Sequence, residues 1–319
     1  MKLAVIFKKD DHKLRENSYS YVYKGMFDAV IDRFEEVQKI HSDCSAKDID
    51  ADLILFYDIH SSHHVKIDGV KYHPAIKMEY FSDPYQEEMK GVYRQFNMPV
   101  HKLGREQRIR RALDRGVDFI ICPVKENYFK SFASIMGQEL AEKMLLYFPL
   151  TPSFDPSYIP LGLREQKVLG NGATWDGNTG CYAFRRWAFN QPYIHFVKHW
   201  LKDPTTPFGK DYGKFISGFA GSLALQDWHP IPKFYEIPLA GCLTFAQHHE
   251  EYEKLGFKDY KTCIYVNPGN FEKRVKDFLA DIPSYQKIAD AGRKLMEENY
   301  TAKHFANFLY DRVTHGTAN

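Results

Sequence analysis

The residues whose types and spacing could do chemistry are densest between Lys233 and Ala246, which read Lys-Phe-Tyr-Glu-Ile-Pro-Leu-Ala-Gly and then Cys-Leu-Thr-Phe-Ala. Lys233 precedes Glu236 by one helical turn, and the small residues Ala240 and Gly241 follow on what reads as the same short helix. The apolar run Cys242 to Ala246 behind it reads as a buried strand. A carboxylate so placed can accept both hydroxyls of a ribose, while Lys233 and the helix N-terminus can face a diphosphate. The same pattern also describes an ordinary amphipathic helix with a solvated Lys and Glu, and this stretch alone favours that plainer reading. A second group, Asp58, His60 and Asp83, follows two apolar runs directly. These are residues that can take or hold a proton.

Elements must position these groups, and the hydrophobic pattern supplies them. Leu3 to Phe7, Val37 to Ile40, Asp52 to Tyr57, Ala75 to Phe81 and Val117 to Cys122 read as strands. Tyr19, Val22, Tyr23, Met26, Phe27, Val30, Ile31 and Phe34 recur at helical spacing. Met144 to Phe148 and Lys167 to Leu169 open a second series, the latter running into Gly170-Asn-Gly172. Taken alone, that tripeptide is a tight turn. Arg185 to Trp200 is helical in character, with Pro192 dividing it, and Asp211 to Phe219 reads as a short helix. Strands follow at Ser222 to Leu225 and Thr262 to Val266, and three helices close the chain. Strands alternating with helices predict α/β architecture, with mostly parallel sheets covered on both faces. In such sheets ligands sit at the carboxyl ends of strands, where Asp58, His60 and Asp83 fall.

With 319 residues, the chain suffices for two domains, and prolines 149, 152 and 156 cluster at the expected boundary. We expect domains at 1–150 and 151–300, with a C-terminal helix at 301–319 packing back on the first. Hydrophobic content of 44% and charged content of 26% fit a globular protein rather than a disordered one. A net charge of +2 gives no general argument for nucleic acid or membrane. The five cysteines are scattered without a Cys-x-x-Cys pair, which points to a reducing compartment and a cytoplasmic location. No apolar run approaches membrane-spanning length, and the N-terminus reads as a strand rather than a signal peptide.

In the second half, several features occur in a familiar order: Val168-Leu-Gly-Asn-Gly172, Tyr182 with Arg185, Tyr212-Gly-Lys-Phe-Ile-Ser217, and Lys233-x-x-Glu236 with Ala240-Gly241. Gly256-Phe257, Cys263 to Asn267 and Ile288-Ala-Asp-Ala-Gly-Arg293 complete the series. Over about residues 165–315 the chain resembles the CgeB-like, group 1 type of glycosyltransferase, which has the GT-B fold. The resemblance implies two Rossmann-like domains facing across a cleft, the second binding a nucleotide sugar and the first contacting the acceptor. It further implies that Glu236 holds the ribose and that Lys233 and Arg185 serve the diphosphate. Gly170 and Gly172 would form a loop admitting phosphate or sugar, and Gly241 would lie in the same donor site. The sequence departs from the fuller family pattern of two Glu separated by seven residues, because position 228 is Trp.

Rival motifs are weaker. Asp48-Ile-Asp50 and Asp50-Ala-Asp52 match the metal-binding Asp-x-Asp signature of the other large glycosyltransferase fold, but both precede their strand and read as loop charges. His60-Ser-Ser-His-His64 could ligate zinc, yet no further ligand pattern accompanies it. Between Lys102 and Arg115, six cations (Lys102, Arg105, Arg108, Arg110, Arg111 and Arg115) stand against Glu106 and Asp114. Ile109 and Leu113 can face the core while the arginines project outward, either as a solvated helix or as a seat for an anionic acceptor. The expectation is a metal-independent GT-B glycosyltransferase without a resident cofactor. It takes a nucleotide sugar as co-substrate and acts on a glycan or phosphate-bearing acceptor, with Asp83, Asp58 or His60 as general base. The alternatives are a transferase acting on modified DNA bases and an inactive sugar-nucleotide or glycan-binding protein.

Overall fold

The computed structural model describes residues 1–9, 11–16, 18, 21–57, 65–81, 105–154, 157–174, 182–198, 207 and 209–315. The described strands are β1 (Lys2–Ile6), β2 (Glu36–Ile40), β3 (Cys44–Ser45), β4 (Leu53–Phe56), β5 (Ile67–Asp68), β6 (Ile76–Tyr80), β7 (Phe119–Cys122) and β8 (Leu145–Tyr147), then β9 (Glu165–Gly172), β10 (Ile194–Lys198), β11 (Phe219–Ala224), β12 (Leu243–Gln247) and β13 (Ile264–Val266). The described α-helices are α1 (Tyr21–Arg33), α2 (Arg105–Asp114), α3 (Glu126–Met136), α4 (Gln138–Met144), α5 (Ala183–Phe189), α6 (Tyr212–Ser217), α7 (Lys233–Leu239), α8 (Glu250–Lys254), α9 (Phe271–Ala280), α10 (Gln286–Asn299) and α11 (Ala302–Thr314). They form two compact units. One comprises Met1–Leu14, Met26–Pro149 and Lys303–Asn319, and the other Arg15–Gly25 and Leu150–Ala302.

The first unit holds a six-stranded sheet in the order β2-β1-β4-β6-β7-β8, parallel throughout. Strands β4 and β7 are buried at every position, as expected when helices cover both faces. Ala4, Ile6, Ile54 and Phe56 enter a core with Ile109 and Ala112 of α2 and Phe132 of α3. Alternate residues turn the other way. There Phe7, Phe27, Tyr57 and Tyr80 form successive ring contacts with centroids 5.0 to 5.3 Å apart. Tyr80 meets Phe305 of α11 at 5.8 Å, and Phe305 and Phe308 both contact Phe148. Helix α11, the last described element, thus packs on the first unit's aromatic face.

The second unit carries a parallel five-stranded sheet in the order β10-β9-β11-β12-β13. Its core joins Val168, Leu223, Leu243, Phe245 and Ile264 to Phe271, Val275 and Phe278 of α9. The helical expectation for Arg185 to Trp200 is corrected here, because helix α5 ends at Phe189 and β10 begins at Ile194. Pro192 lacks the N–H a continuing helix needs, and Ile-His-Phe-Val-Lys has the β-branched and aromatic character of an edge strand. Strand β8, grouped with the second series from the sequence, is instead the sixth strand of the first sheet, hydrogen-bonded to β7.

The basic segment also differs from expectation. Arg108 is 1% exposed, with its guanidinium 3.9 Å from the Phe81 ring centre. Arg111 and Arg115 turn inward onto the fully buried Glu79 carboxylate, at 3.0 and 3.3 Å. Arg110 does lie outside, paired with Glu106 at 2.6 Å. A buried carboxylate on β6 requires cations, and α2 supplies them at one-turn spacing. Most of the arginine excess is thereby consumed in holding α2 to its sheet.

Candidate functional site

In the second unit the chain reverses its direction of winding between β9 and β11, which is the switch point where α/β sheets leave a crevice at the carboxyl ends. The end of β9 delivers Asn171 and Gly172 to that point, and the chain leaving β11 delivers Leu225 and then α7. Lys233 opens α7 and Glu236 stands one turn later on the same side. The sequence-selected Gly172, Arg185, Lys233 and Glu236 are therefore brought together.

Lys233 is the centre of the polar contacts. Its ammonium donates to Asn171 Oδ1 at 3.2 Å and to the Tyr212 hydroxyl. The Tyr212 hydroxyl donates to the same Asn171 oxygen at 3.1 Å, and Asn171 Nδ2 donates to the Val197 carbonyl at 3.1 Å. Burial pushes the Lys233 amine down to about 8, with the Arg185 charge adding to the effect and Glu236 opposing it. Gly172 has φ of +132°, and a Cβ there would stand 3.1 Å from Lys233 Cε. Glycine at this position gives the lysine stem its room.

Glu236 is 6% exposed, and among the described residues no hydrogen bond satisfies its carboxylate. Burial pushes it up to about 7, against the pull of Lys233.

Arg185 is buried and bridges two loop carbonyls. Its Nε donates to Leu225 O at 2.8 Å, its Nη2 donates to the same carbonyl, and its Nη1 donates to Ala173 O at 3.1 Å. Its guanidinium lies 3.9 Å from the Tyr182 ring centre. It ties the end of β9 to the end of β11 and leaves its positive charge at the switch point.

Three expectations shift. Gly170 packs rather than faces a ligand, since a Cβ there would meet Ile194 and Phe189 at 2.9 Å. Gly241 stands at the opposite end of α7, with φ of +71° and room for a Cβ only 2.7 Å from Arg164 Nη2. It is the left-handed residue that ends the helix, and its place is away from Lys233. The first-turn amides of α7 are also engaged, because Phe234, Tyr235 and Glu236 donate to Ile231 and Pro232 carbonyls. Asp58, His60 and Asp83 lie outside the described residues, as do His63 and His64. The Asp-x-Asp carboxylates serve local structure, Asp48 capping with Ser45, Asp50 pairing with Lys2 at 2.6 Å, and Asp52 accepting from the Lys2 amide. Among the described residues no cluster of His, Cys, Asp and Glu could hold a metal ion. Asn171 and Tyr212 carried no assigned role in the sequence, although each sits inside a motif that was singled out.

Residues 179–311 match the model of a family described as glycosyl transferase-like. Among solved structures, the chain is similar to sucrose-phosphate synthase from Thermosynechococcus elongatus, at 10% identity and a TM-score of 0.60, over 99% of this chain and 100% of that one. It is similar to an α-glucosyltransferase in complex with UDP-glucose and DNA containing an abasic site, at 10% identity and a TM-score of 0.57, over 98% and 99% of the two chains. HepE from Anabaena in complex with UDP and glucose matches at 9% identity and a TM-score of 0.53, over 99% and 100%. The chain spans 58% of a longer chain in a GtfA/B complex. No protein with a curated description matches the sequence. Likeness at these identities concerns the fold, which is the GT-B class with two Rossmann-like units. No described helix is long and apolar enough to cross a membrane.

Proposed function

We propose that the chain is a glycosyltransferase whose second unit binds a nucleoside diphosphate sugar at the β9–β11 switch point. One observation carries this reading: the buried Glu236 carboxylate, without a hydrogen-bond donor among the described residues, stands one helical turn from the half-buried Lys233 amine, inside the segment that matches a glycosyl transferase-like family. In this reading the ribose hydroxyls donate to Glu236, and the Lys233 ammonium faces the diphosphate. As the sugar leaves, negative charge grows on the terminal phosphate, and a fixed cation there lowers the barrier. Arg185 contributes its charge while holding the two loops that frame the site. These two cations are what a divalent metal would otherwise supply, and the proposal includes metal-independence and the absence of a resident cofactor.

Asp83, Asp58 and His60 remain the proposed acceptor-side bases, because they follow the ends of β6 and β4 in the chain. A CgeB-like subfamily and a cytoplasmic location belong to the same proposal, on the residue order and the scattered cysteines described above. A glycan or glycoconjugate acceptor is preferred to DNA, since Arg108, Arg111 and Arg115 are turned into the first unit rather than outward. Uridine diphosphate sugars are the first donors to try, given the ligands of the similar structures.

The test is thermal unfolding against UDP, GDP, ADP, CDP and their sugars. A specific ligand at about a hundred times its dissociation constant adds about 2.7 kcal/mol of stability. One nucleotide class should raise the midpoint, and Glu236→Ala should abolish the rise. A wild-type midpoint that none of them moves removes the donor-site reading. Release of nucleotide on transfer separates an enzyme from a binding protein.

A further inference from the structure

We infer that Tyr212 and Asn171 are positioning residues that hold the Lys233 ammonium in place for a diphosphate. The inference rests on the donor-site reading above and adds two residues to it. A lysine ends in a mobile point charge on a four-carbon stem, and such a group stabilises a developing phosphate charge only if it is already in place. Here the stem runs through the space that Gly172 leaves open, where a Cβ would stand 3.1 Å from Lys233 Cε. The head group is fixed from two elements, by Asn171 Oδ1 on β9 at 3.2 Å and by the Tyr212 hydroxyl on α6.

The network has one consistent proton arrangement. Asn171 donates through Nδ2 to Val197 O, which orients its oxygen toward Tyr212 and Lys233. Tyr212 donates its proton to that oxygen at 3.1 Å, so the lone pairs of the hydroxyl remain for the ammonium. Lys233 thus spends two N–H donors on neutral acceptors, and among the described residues no bonded carboxylate cancels its charge. The charged groups around it are Arg185 from α5, which repels it, and Glu236 from α7, which attracts it. The Tyr212 hydroxyl is held in its neutral form mainly by burial. A salt bridge in place of these neutral acceptors would neutralise the cation a phosphate needs. This arrangement fixes the position and preserves the charge.

The experiment is calorimetric titration with inorganic pyrophosphate, the group common to nucleoside diphosphate donors, on the full chain. Wild type, Tyr212→Phe, Asn171→Ala, Lys233→Ala and the double variant Tyr212→Phe/Lys233→Ala are compared. Tyr212→Phe and Asn171→Ala should each weaken binding by about tenfold, and Lys233→Ala by at least as much. In the Lys233→Ala background, Tyr212→Phe should cost nothing further, because its effect runs through the amine. A merely structural hydroxyl would cost the same in both backgrounds. Additive losses, or a Tyr212→Phe protein that binds as wild type does, overturn the positioning role while leaving the donor site standing. A wild type that does not bind pyrophosphate, or a Lys233→Ala protein that binds it unchanged, overturns the donor site itself.

Discussion

Glu236 concentrates the tension between folding and binding in one residue. Its carboxyl is raised from the ordinary range to about 7 because burial outweighs the attraction of Lys233. The folded state therefore binds a proton more tightly than the unfolded state. Between the unfolded value and about 7, the native protein carries more bound protons, so stability falls as pH rises through that window. Above it the full penalty of burying the charge is present. Glu236→Gln keeps the shape and removes the charge. It should raise stability at pH 8 by roughly 1–3 kcal/mol, with the gain shrinking toward pH 5, while weakening the bound nucleotide. Urea unfolding at the two pH values, with nucleotide titration beside it, measures both effects. A variant equally stable at both and no better than wild type at pH 8 would place the carboxylate in water.

At the scale of elements, α2 shows what a sequence conceals about direction. Six cations between Lys102 and Arg115 read equally well as a solvated face or an anion seat, because periodicity tells which residues share a face and not which buried charge lies beneath. Glu79 sits in an apolar strand pattern on another element, and only the packing of α2 over β6 joins them. The same limit explains Tyr212 and Asn171, whose meeting with Lys233 depends on three elements far apart in the chain. By contrast, the strands of both sheets other than β10 are readable, since buried parallel strands are short apolar runs bounded by polar turns. Strand β10 is not, because Arg185 to Phe189 begins a helix and the single Pro192 marks where the chain changes character. Reversing Arg111 to Glu should therefore unfold the first unit rather than alter substrate choice, costing roughly 3–5 kcal/mol through the loss of a buried pair. Arg110→Glu, at an exposed pair with Glu106, should cost no more than about 1 kcal/mol. Denaturant midpoints of the two variants decide the matter, and similar values for both would return α2 to the role of a solvated cover.

For the whole molecule, the order of the chain and the order of its units differ. The first unit takes its last helix from the C-terminus, after the second unit has been completed. Helix α11 buries Phe305 and Leu309 fully and Ala306 almost so, and it sets Phe305 against Tyr80 and Phe148 and Tyr310 against Phe34. Arg33 of α1 adds a bond to Asn307 at 2.8 Å and lies over the Tyr310 ring. The first unit's aromatic face is thus completed by a helix that follows the second unit in sequence. Phe305→Ala should cost about 3–5 kcal/mol, the range for deleting a buried aromatic, and truncation after Tyr300 should cost more. The tryptophans allow the two units to be followed separately, since all four (175, 187, 200 and 228) fall in the second. In the truncated chain the far-ultraviolet dichroism should show an early transition from the first unit. Tryptophan emission should report the second unit melting later, and pyrophosphate should still shift that later transition. Loss of both signals together would mean that the second unit cannot stand without the first. An unchanged dichroism transition would mean that α11 contributes nothing to the face it covers.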